Sequence, residues 1–532
     1  MIGRKGSEKM EEKENIIRLI PKRKKSFWRL IFSRAFLILA LLIVQLGILI
    51  SLYFLFTEYL PEAKVLLVLF SVLMVFYLFN CEMDSAAKLT WLVLITLFPV
   101  PGAILLFFTK QDIGHIRVKK LVISTIAESK EMLPLHSEVL GAPELAKSGT
   151  DSLFCYINRT GCFPIYNNTD VTYFPVGEKK FEALLAELEK AERFIFMEYF
   201  IIDEGYMWGR VLDILARKAK QGVEVRVMYD GMCEMSTLTY DYAERLAKLG
   251  IKAKAFAPIL PFLSTYYNYR DHRKILVIDG KVGFTGGVNM ADEYINRRER
   301  FGHWKDCAVM LRGEAVRTFT LMFLQMWNVG ESSPQWDEWL SAPYGAGRKD
   351  SGFVLPFSDC PLDDEKVGET VYMDILNRAT HYVHIMTPYL ILDGEMEYAL
   401  RFAAERGIDV KLILPGIPDK KGAYALAKTH YAGLTKAGVK IYEYTPGFVH
   451  SKVFVCDDEK AVVGTINLDY RSLYHHFECA AYMYRTGCIP EIEADFQETL
   501  AKCRPVTPET IKHEKVFYKV AGELLKLVAP LF

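Results

Sequence analysis

The sequence lacks a surplus of either charge: 65 lysines and arginines stand against 65 aspartates and glutamates in 532 residues. A nucleic-acid binder usually carries a basic excess, so this balance argues against that class. Its ten cysteines include no Cys-x-x-Cys pair. That scatter offers no metal-ligand spacing and no disulfide framework, and it fits a reducing cytosol. A Walker-type phosphate loop is missing too. No motif therefore calls for a nucleotide, a metal or another cofactor. Disorder is excluded by the apolar fraction of 51%.

The zero net charge conceals three unlike regions. Residues 1–34 hold eleven basic and four acidic groups, or +7. Residues 35–109 come to −2 and the remainder to −5. The middle region is where apolar runs are long. Residues 35–56 contain no charge at all, and 22 residues of helix span about 33 Å, enough for a hydrocarbon core of about 30 Å. A second run covers residues 64–80. A third, 89–108, is interrupted by Pro99, Pro101 and Gly102. The basic cluster before residue 35 predicts a cytoplasmic tail, and Lys110, Arg117, Lys119 and Lys120 predict a cytoplasmic exit. Both ends inside requires an even number of crossings. The expectation is therefore a hairpin of two spanning helices, about 35–57 and 64–80, in a multi-pass membrane region. The proline-broken third segment is expected to be re-entrant. A three-span reading would place the remainder outside.

From about residue 170 helical and strand patterns alternate, which signals βαβ units and a sheet covered by helices. The order then recurs. ARKAKQGVEVRVMYD (216–230) is echoed by AAERGIDVKLILP (403–415), and YAERLAKLGIKAKAF (242–256) by YAGLTKAGVKIYEY (431–444). A period near 180 residues is too long for a solenoid. It predicts two copies of one α/β domain, 130–340 and 345–532, joined by a Gly-, Pro-, Ser- and Asp-rich linker near 345–364. Such copies can pack about a pseudo-two-fold axis and share one site.

Each half carries His-x-Lys-x4-Asp-x6-Gly-[Gly/Thr]-x-Asn. The members are His272, Lys274, Asp279, Gly286 and Asn289, then His450, Lys452, Asp457, Gly464 and Asn467. Residues i and i+2 of a strand share a face, so each His–Lys pair points into one space. Two imidazoles, two ammonium groups and two amides suit a phosphodiester. Lysines and amides hold its non-bridging oxygens and stabilise transition-state charge. One imidazole attacks phosphorus while the other protonates the leaving alkoxide. A nucleophilic His also needs a carboxylate on Nδ1. Asp306 and Glu478, downstream of the two histidines, are candidate orienting acids. Asp279 and Asp457 end apolar strands, so they stand equally as catalytic groups or as structural ones. His381, His384, His430, His475, His476 and His513 lack a matching constellation and read as structural or surface residues.

The duplicated motif resembles the signature of the phospholipase D superfamily, over roughly residues 170–500. The apolar hairpin ahead of it is similar to that of the bacterial cardiolipin synthases, as are MEYFIID (197–203), GHWKD (302–306) and TPYLILD (387–393). The resemblance implies two αβα sandwich domains behind an α-helical membrane hairpin. It also implies transfer of a phosphatidyl group from one phosphatidylglycerol to another, with release of glycerol and a phosphohistidine on His272 or His450. Relatives favour the first-half histidine as nucleophile. Gly287 departs from the serine common in the superfamily; Thr465 in the second copy is nearer. Two other readings compete: a membrane-bound lipid hydrolase, and a tethered nuclease, which the −5 of the catalytic part disfavours. Oligomeric state and acceptor lipid are not encoded in these motifs.

Overall fold

The computed structural model describes residues 15–20, scattered positions from 40 to 54, and 63–531 apart from 111–115, 260–267, 346, 349–351 and 364. Most of the first apolar run and most of the basic tail therefore lie outside the described residues.

Two mixed sheets repeat one strand order, the second with a further strand at its end. The first is built from β1 (Thr169–Phe174), β2 (Phe194–Tyr199), β3 (Glu224–Asp230), β4 (Lys252–Phe256), β6 (Lys274–Ile278), β7 (Val282–Gly286) and β9 (Ala308–Gly313), in the order β1-β9-β7-β6-β2-β3-β4. Two short strands, β5 (Arg270–Asp271) and β8 (His303–Lys305), stand apart from it. The second sheet uses β10 (Phe353–Asp359), β11 (Tyr382–Met386), β12 (Asp409–Pro415), β13 (Lys440–Tyr444), β15 (Val453–Cys456), β16 (Lys460–Gly464), β17 (His476–Tyr484) and β18 (Cys503–Pro505). Its order is β10-β17-β16-β15-β11-β12-β13-β18, with β14 (Gly447–Val449) outside it. In both sheets the motif strand runs antiparallel to its neighbour and the βαβ strands run parallel. Strands such as FIFMEY of β2 are buried along their whole length, as expected when helices cover both faces.

The halves are less separable than a two-domain reading expects. One continuous core contains Phe194, Phe196 and Phe323 of the first half with Phe454, Tyr482 and Tyr484 of the second. Helix Val316–Trp327 is buried at every residue but Arg317 and packs between β6 and β10. Helix Thr150–Gly161, within the span assigned to the first domain, lies instead against the second half. Phe154 meets Tyr482 edge-on at 5.2 Å, and Tyr166 exchanges backbone bonds with Val354. The stretch expected as linker contains β10. Pro356 sits within that strand at the edge of the sheet, where a missing N–H is tolerated.

Of the apolar runs, the second forms helix Ala63–Asn80. The third divides into helices Ser85–Leu97 and Pro99–Lys110, bent where proline interrupts it. The three pack around Leu78, Trp91, Ile95 and Leu106. Gly102 permits the tight bend: a Cβ there would lie 2.9 Å from the Leu94 carbonyl oxygen. No helix of the described residues is long and apolar enough to cross a membrane. The helix Ala63–Asn80 nevertheless presents Val65, Leu66, Leu73, Phe76 and Phe79 on its surface.

Candidate active site

The two motifs meet through short strands that stand off the main strand orders. β5 runs parallel to the start of β17, pairing Arg270 with His476 and Asp271 with Phe477. The next residue, His272, donates its N–H to the Phe477 carbonyl (3.0 Å) and so lies opposite Glu478. β14 pairs with β8 in the same way, Val449 opposite Lys305. His450 donates to the Lys305 carbonyl (2.7 Å) and lies opposite Asp306. Each half thus lends its histidine to the other half's acid.

The side chains carry this through. His272 Nδ1 is 2.8 and 2.9 Å from the two Glu478 oxygens. His450 Nδ1 is 2.7 Å from Asp306 Oδ2. Asp306 and Glu478 each bond the Nδ1 of the histidine in the opposite half. A carboxylate only accepts, so each ring carries its proton on Nδ1 and leaves the Nε2 lone pair free. Lys452 Nζ, also 2.9 Å from His450 Nδ1, has its acceptor in the His450 carbonyl. Lys274 donates likewise to the His272 carbonyl.

The site is buried, and its titrations follow from that. Burial holds His272 well below the usual imidazole range and His450 at about 4. Burial also lowers Lys274 to about 7 and Lys452 to about 8, although Glu478 and Asp306 act on both in the opposite direction. Burial disfavours charge on Glu478 as well, but His272 and His476 outweigh it and hold the carboxylate below its ordinary range. Two hydroxyls also serve Glu478: Ser472 at 2.7 Å, and Thr465. Asp306 takes the Cys307 N–H at 2.8 Å instead. Gly287 matches Thr465 in the motif, and a Cβ there would meet Asp306 Oδ1 at 2.0 Å. The carboxylate fills the place of a side chain, so this position fits glycine. The motif glycine Gly286 is equally constrained. Its φ is +144° and a Cβ would approach Ala308 Cα to 2.5 Å.

Asp279 and Asp457 serve the fold. Asp279 accepts the backbone N–H groups of Glu192, Arg193 and Phe194 at 2.7–2.8 Å, fixing the start of β2. Asp457 does the same for β11 through Thr380, His381 and Tyr382. Both sit at the far end of the motif strand, with φ of 54° and 53°. Replacing Asp279 by Ala strands three N–H groups, that of Phe194 buried, and is expected to destabilise the protein by about 1–3 kcal/mol. Denaturant unfolding reads that loss, and the turnover of the remaining folded enzyme should stay within a few-fold of the parent.

The two asparagines differ. Asn289 Oδ1 accepts from Ile201 N–H and its amide donates to Tyr294 Oη at 2.9 Å. Asn467 is buried, and its Oδ1 has no hydrogen-bond partner. Sequence reasoning missed His476, set aside as structural. Its ring lies 5.2 Å from that of His272, and its Nδ1 is 3.5 Å from Glu478. It also missed the aromatic wall of Phe200 beside His272 and of Trp304 and Tyr294 beside His450. His384 and His430 do bond to ordinary acids, Glu493 and Glu397. Among the described residues His272, His476 and Glu478 bring ligand atoms within 4.8 Å. The Glu478 oxygens already accept from three side chains, so a metal there would displace the proton that orients His272.

Comparison with known proteins agrees with this geometry. The family described as "Cardiolipin synthase, PLD-like domain" matches residues 184–327 and 372–500. A cardiolipin synthase of Geobacillus kaustophilus is 35% identical over 506 residues, 92% of this chain and 98% of its own. One from Alkalihalophilus pseudofirmus is 34% identical over 83% of this chain and 88% of its own. An uncharacterized protein of Streptococcus mutans is 59% identical over 86% of this chain and 99% of its own. Among solved structures, the phosphatidylserine synthase of Haemophilus influenzae shares the fold. Its TM-score is 0.56 at 14% identity, covering 72% of this chain and 99% of that one. With both motifs converging on one site and relatives matched along most of their length, the chain belongs to the cardiolipin synthase family of phospholipase-D-like proteins.

Proposed function

We propose that the protein is a cardiolipin synthase, transferring a phosphatidyl group from one phosphatidylglycerol to a second and releasing glycerol. The observation that carries this is the cross-braced pair of imidazoles, each fixed by a buried carboxylate and flanked by a buried lysine. His272 Nε2 attacks phosphorus. The P–O bond to glycerol breaks, and protonated His450 gives its proton to the departing alkoxide. Neutral His450 then takes the proton of the acceptor's glycerol hydroxyl, whose oxygen attacks phosphorus and releases His272. The bound phosphodiester anion favours the protonated His450 that the first step needs. Lys274 and Lys452 stabilise the charge on the non-bridging oxygens. A buried site that limits the access of water favours a lipid hydroxyl over hydrolysis.

Purified enzyme incubated with phosphatidylglycerol alone should yield cardiolipin and free glycerol by mass spectrometry. Phosphatidic acid as sole product would assign a hydrolase instead. The lysines predict the pH profile. Their lowered pKa values keep the binding ammonium below about 7 and 8 and remove it above. The kcat/KM profile, which reports the free enzyme, should therefore fall on an alkaline limb beginning in that window. A flat profile to pH 9.5 would refute it.

We also infer a multi-pass membrane protein with its catalytic part on the cytoplasmic side. Two features support this. The helix Ala63–Asn80 bears large apolar side chains that the protein leaves uncovered. Residues 15–20, which precede the first apolar run, dock on the catalytic part: Ile17 N–H donates to Gly209 O, and Arg245 donates to Leu19 O at 2.9 Å. A tail bound to the catalytic domain shares its side of the membrane, which requires an even number of crossings between them.

A further inference from the structure

The last α-helix of the described residues, Val516–Lys526, has two faces. One packs on helix Lys421–Lys436: a Cβ at Gly522 would come within 2.5 Å of the Ala425 carbonyl oxygen, and Tyr518 meets Tyr424 edge-on. The other face is apolar and bare. Val516, Phe517, Val520, Leu524 and Leu527 are 53–74% exposed. At about 100° per residue they fall within one arc of about 100°. Lys515, Lys519 and Lys526 border that stripe on one side, and Glu523 lies at the same edge.

The helix is tied to the hairpin that the third apolar run forms, helices Ser85–Leu97 and Pro99–Lys110, and to the rim of the active site. Thr90, on helix Ser85–Leu97, donates to the Leu527 carbonyl at 2.8 Å. That hairpin helix exposes Leu89 and Leu97, each 63% accessible. His475 Nε2 lies 3.3 Å from the Pro530 carbonyl. Between these ties is a cavity of about 320 Å³ lined by Trp91, Tyr269, Lys366, Tyr474, His475 and Pro530. The residue after His475 is His476, whose ring touches that of His272.

We propose that the apolar stripe of Val516–Lys526 lies in the interface of a phospholipid bilayer. It forms a second membrane contact that continues the hairpin surface and holds the mouth of the cavity at the level of lipid headgroups. The occupant is a bilayer because the stripe abuts helices that already present apolar side chains outward. An interfacial helix has this form, with large apolar residues on one face and lysines along its border. The proposal rests on the hairpin's being membrane-embedded. It gives the buried histidines a route to their substrate: a phosphoglycerol headgroup rises into the cavity beside Lys366 while its acyl chains stay in the bilayer.

The test uses the full chain in phosphatidylglycerol–phosphatidylethanolamine vesicles. Leu524→Cys is labelled with an environment-sensitive fluorophore, in a Cys155→Ser background because Cys155 is exposed. Lipids brominated on the upper acyl chain should quench the label at least twofold. A label indifferent to bromination overturns the proposal. So does shielding that depends on protein concentration rather than on lipid, which would assign the face to a second copy. As a second measurement, Val520→Glu with Leu524→Glu should lower cardiolipin formation from vesicles at least tenfold, and turnover equal to the parent's counts against the proposal. The functional reading fails separately. A parent that makes no cardiolipin but whose label is quenched keeps the membrane contact and loses the synthase, and the converse keeps the synthase alone.

Discussion

Alanine at either His272 or His450 should lower phosphatidyl transfer at least about 10⁴-fold, because each step needs both imidazoles and groups acting as a unit are not additive. Steady turnover in either variant would refute a shared site. The two losses can be told apart with a phosphatidyl ester of p-nitrophenol. Nitrophenolate departs without a proton, so the first step needs the nucleophile and not the acid. His450→Ala should release one burst of nitrophenolate per site and leave a phosphatidyl adduct on His272, visible by mass spectrometry. His272→Ala should give no burst. A burst from His272→Ala, with the adduct on His450, would reverse the roles. The geometry alone makes either ring a competent nucleophile, since both carry the proton on Nδ1 and both are kept neutral by burial.

Much of this was legible in the chain, for reasons that differ by element. The paired motif could be read because a strand's period of two fixes which side chains share a face. The duplicated strand order followed from repeated helix-stopping glycines such as Gly222 and Gly407, both at positive φ. The proline break of the third apolar segment also appears where the covalent constraint requires it. What the chain hid is what depends on contact between halves. Proximity in sequence pairs Asp306 with His272 and Glu478 with His450, whereas β5 and β14, two and three residues long, reach across and exchange the partners. His476 carries no motif of its own and becomes part of the site only because β17 pairs with β5. β10 was hidden by its proline and by the loop-like composition around it. Only its position at the edge of a sheet, a property of the assembled fold, permits that residue.

The exchange of acids gives the second large effect and a way to see it in solution. Glu478→Gln and Asp306→Asn keep the shape of each side chain but offer an amide where the ring needs an acceptor. An amide that donates to Nδ1 leaves the proton on Nε2, the atom that must attack or transfer, so each variant should lose roughly 10²–10⁴-fold in overall transfer. The nitrophenyl ester separates them. Glu478 holds His272, so Glu478→Gln should lose the burst together with the overall reaction. Asp306 holds His450, so Asp306→Asn should keep a burst close to the parent's and fail only in transfer to the lipid acceptor. Pairing within each half predicts the opposite assignment. The hydroxyls sharpen the contrast. Thr465 and Ser472 donate to Glu478 and not to Asp306, so Ser472→Ala should follow the Glu478 pattern at smaller amplitude, weakening the burst and the overall rate together. A Ser472→Ala variant that slowed only the second step would show that these hydroxyls serve His450, and with it that the halves do not exchange their acids.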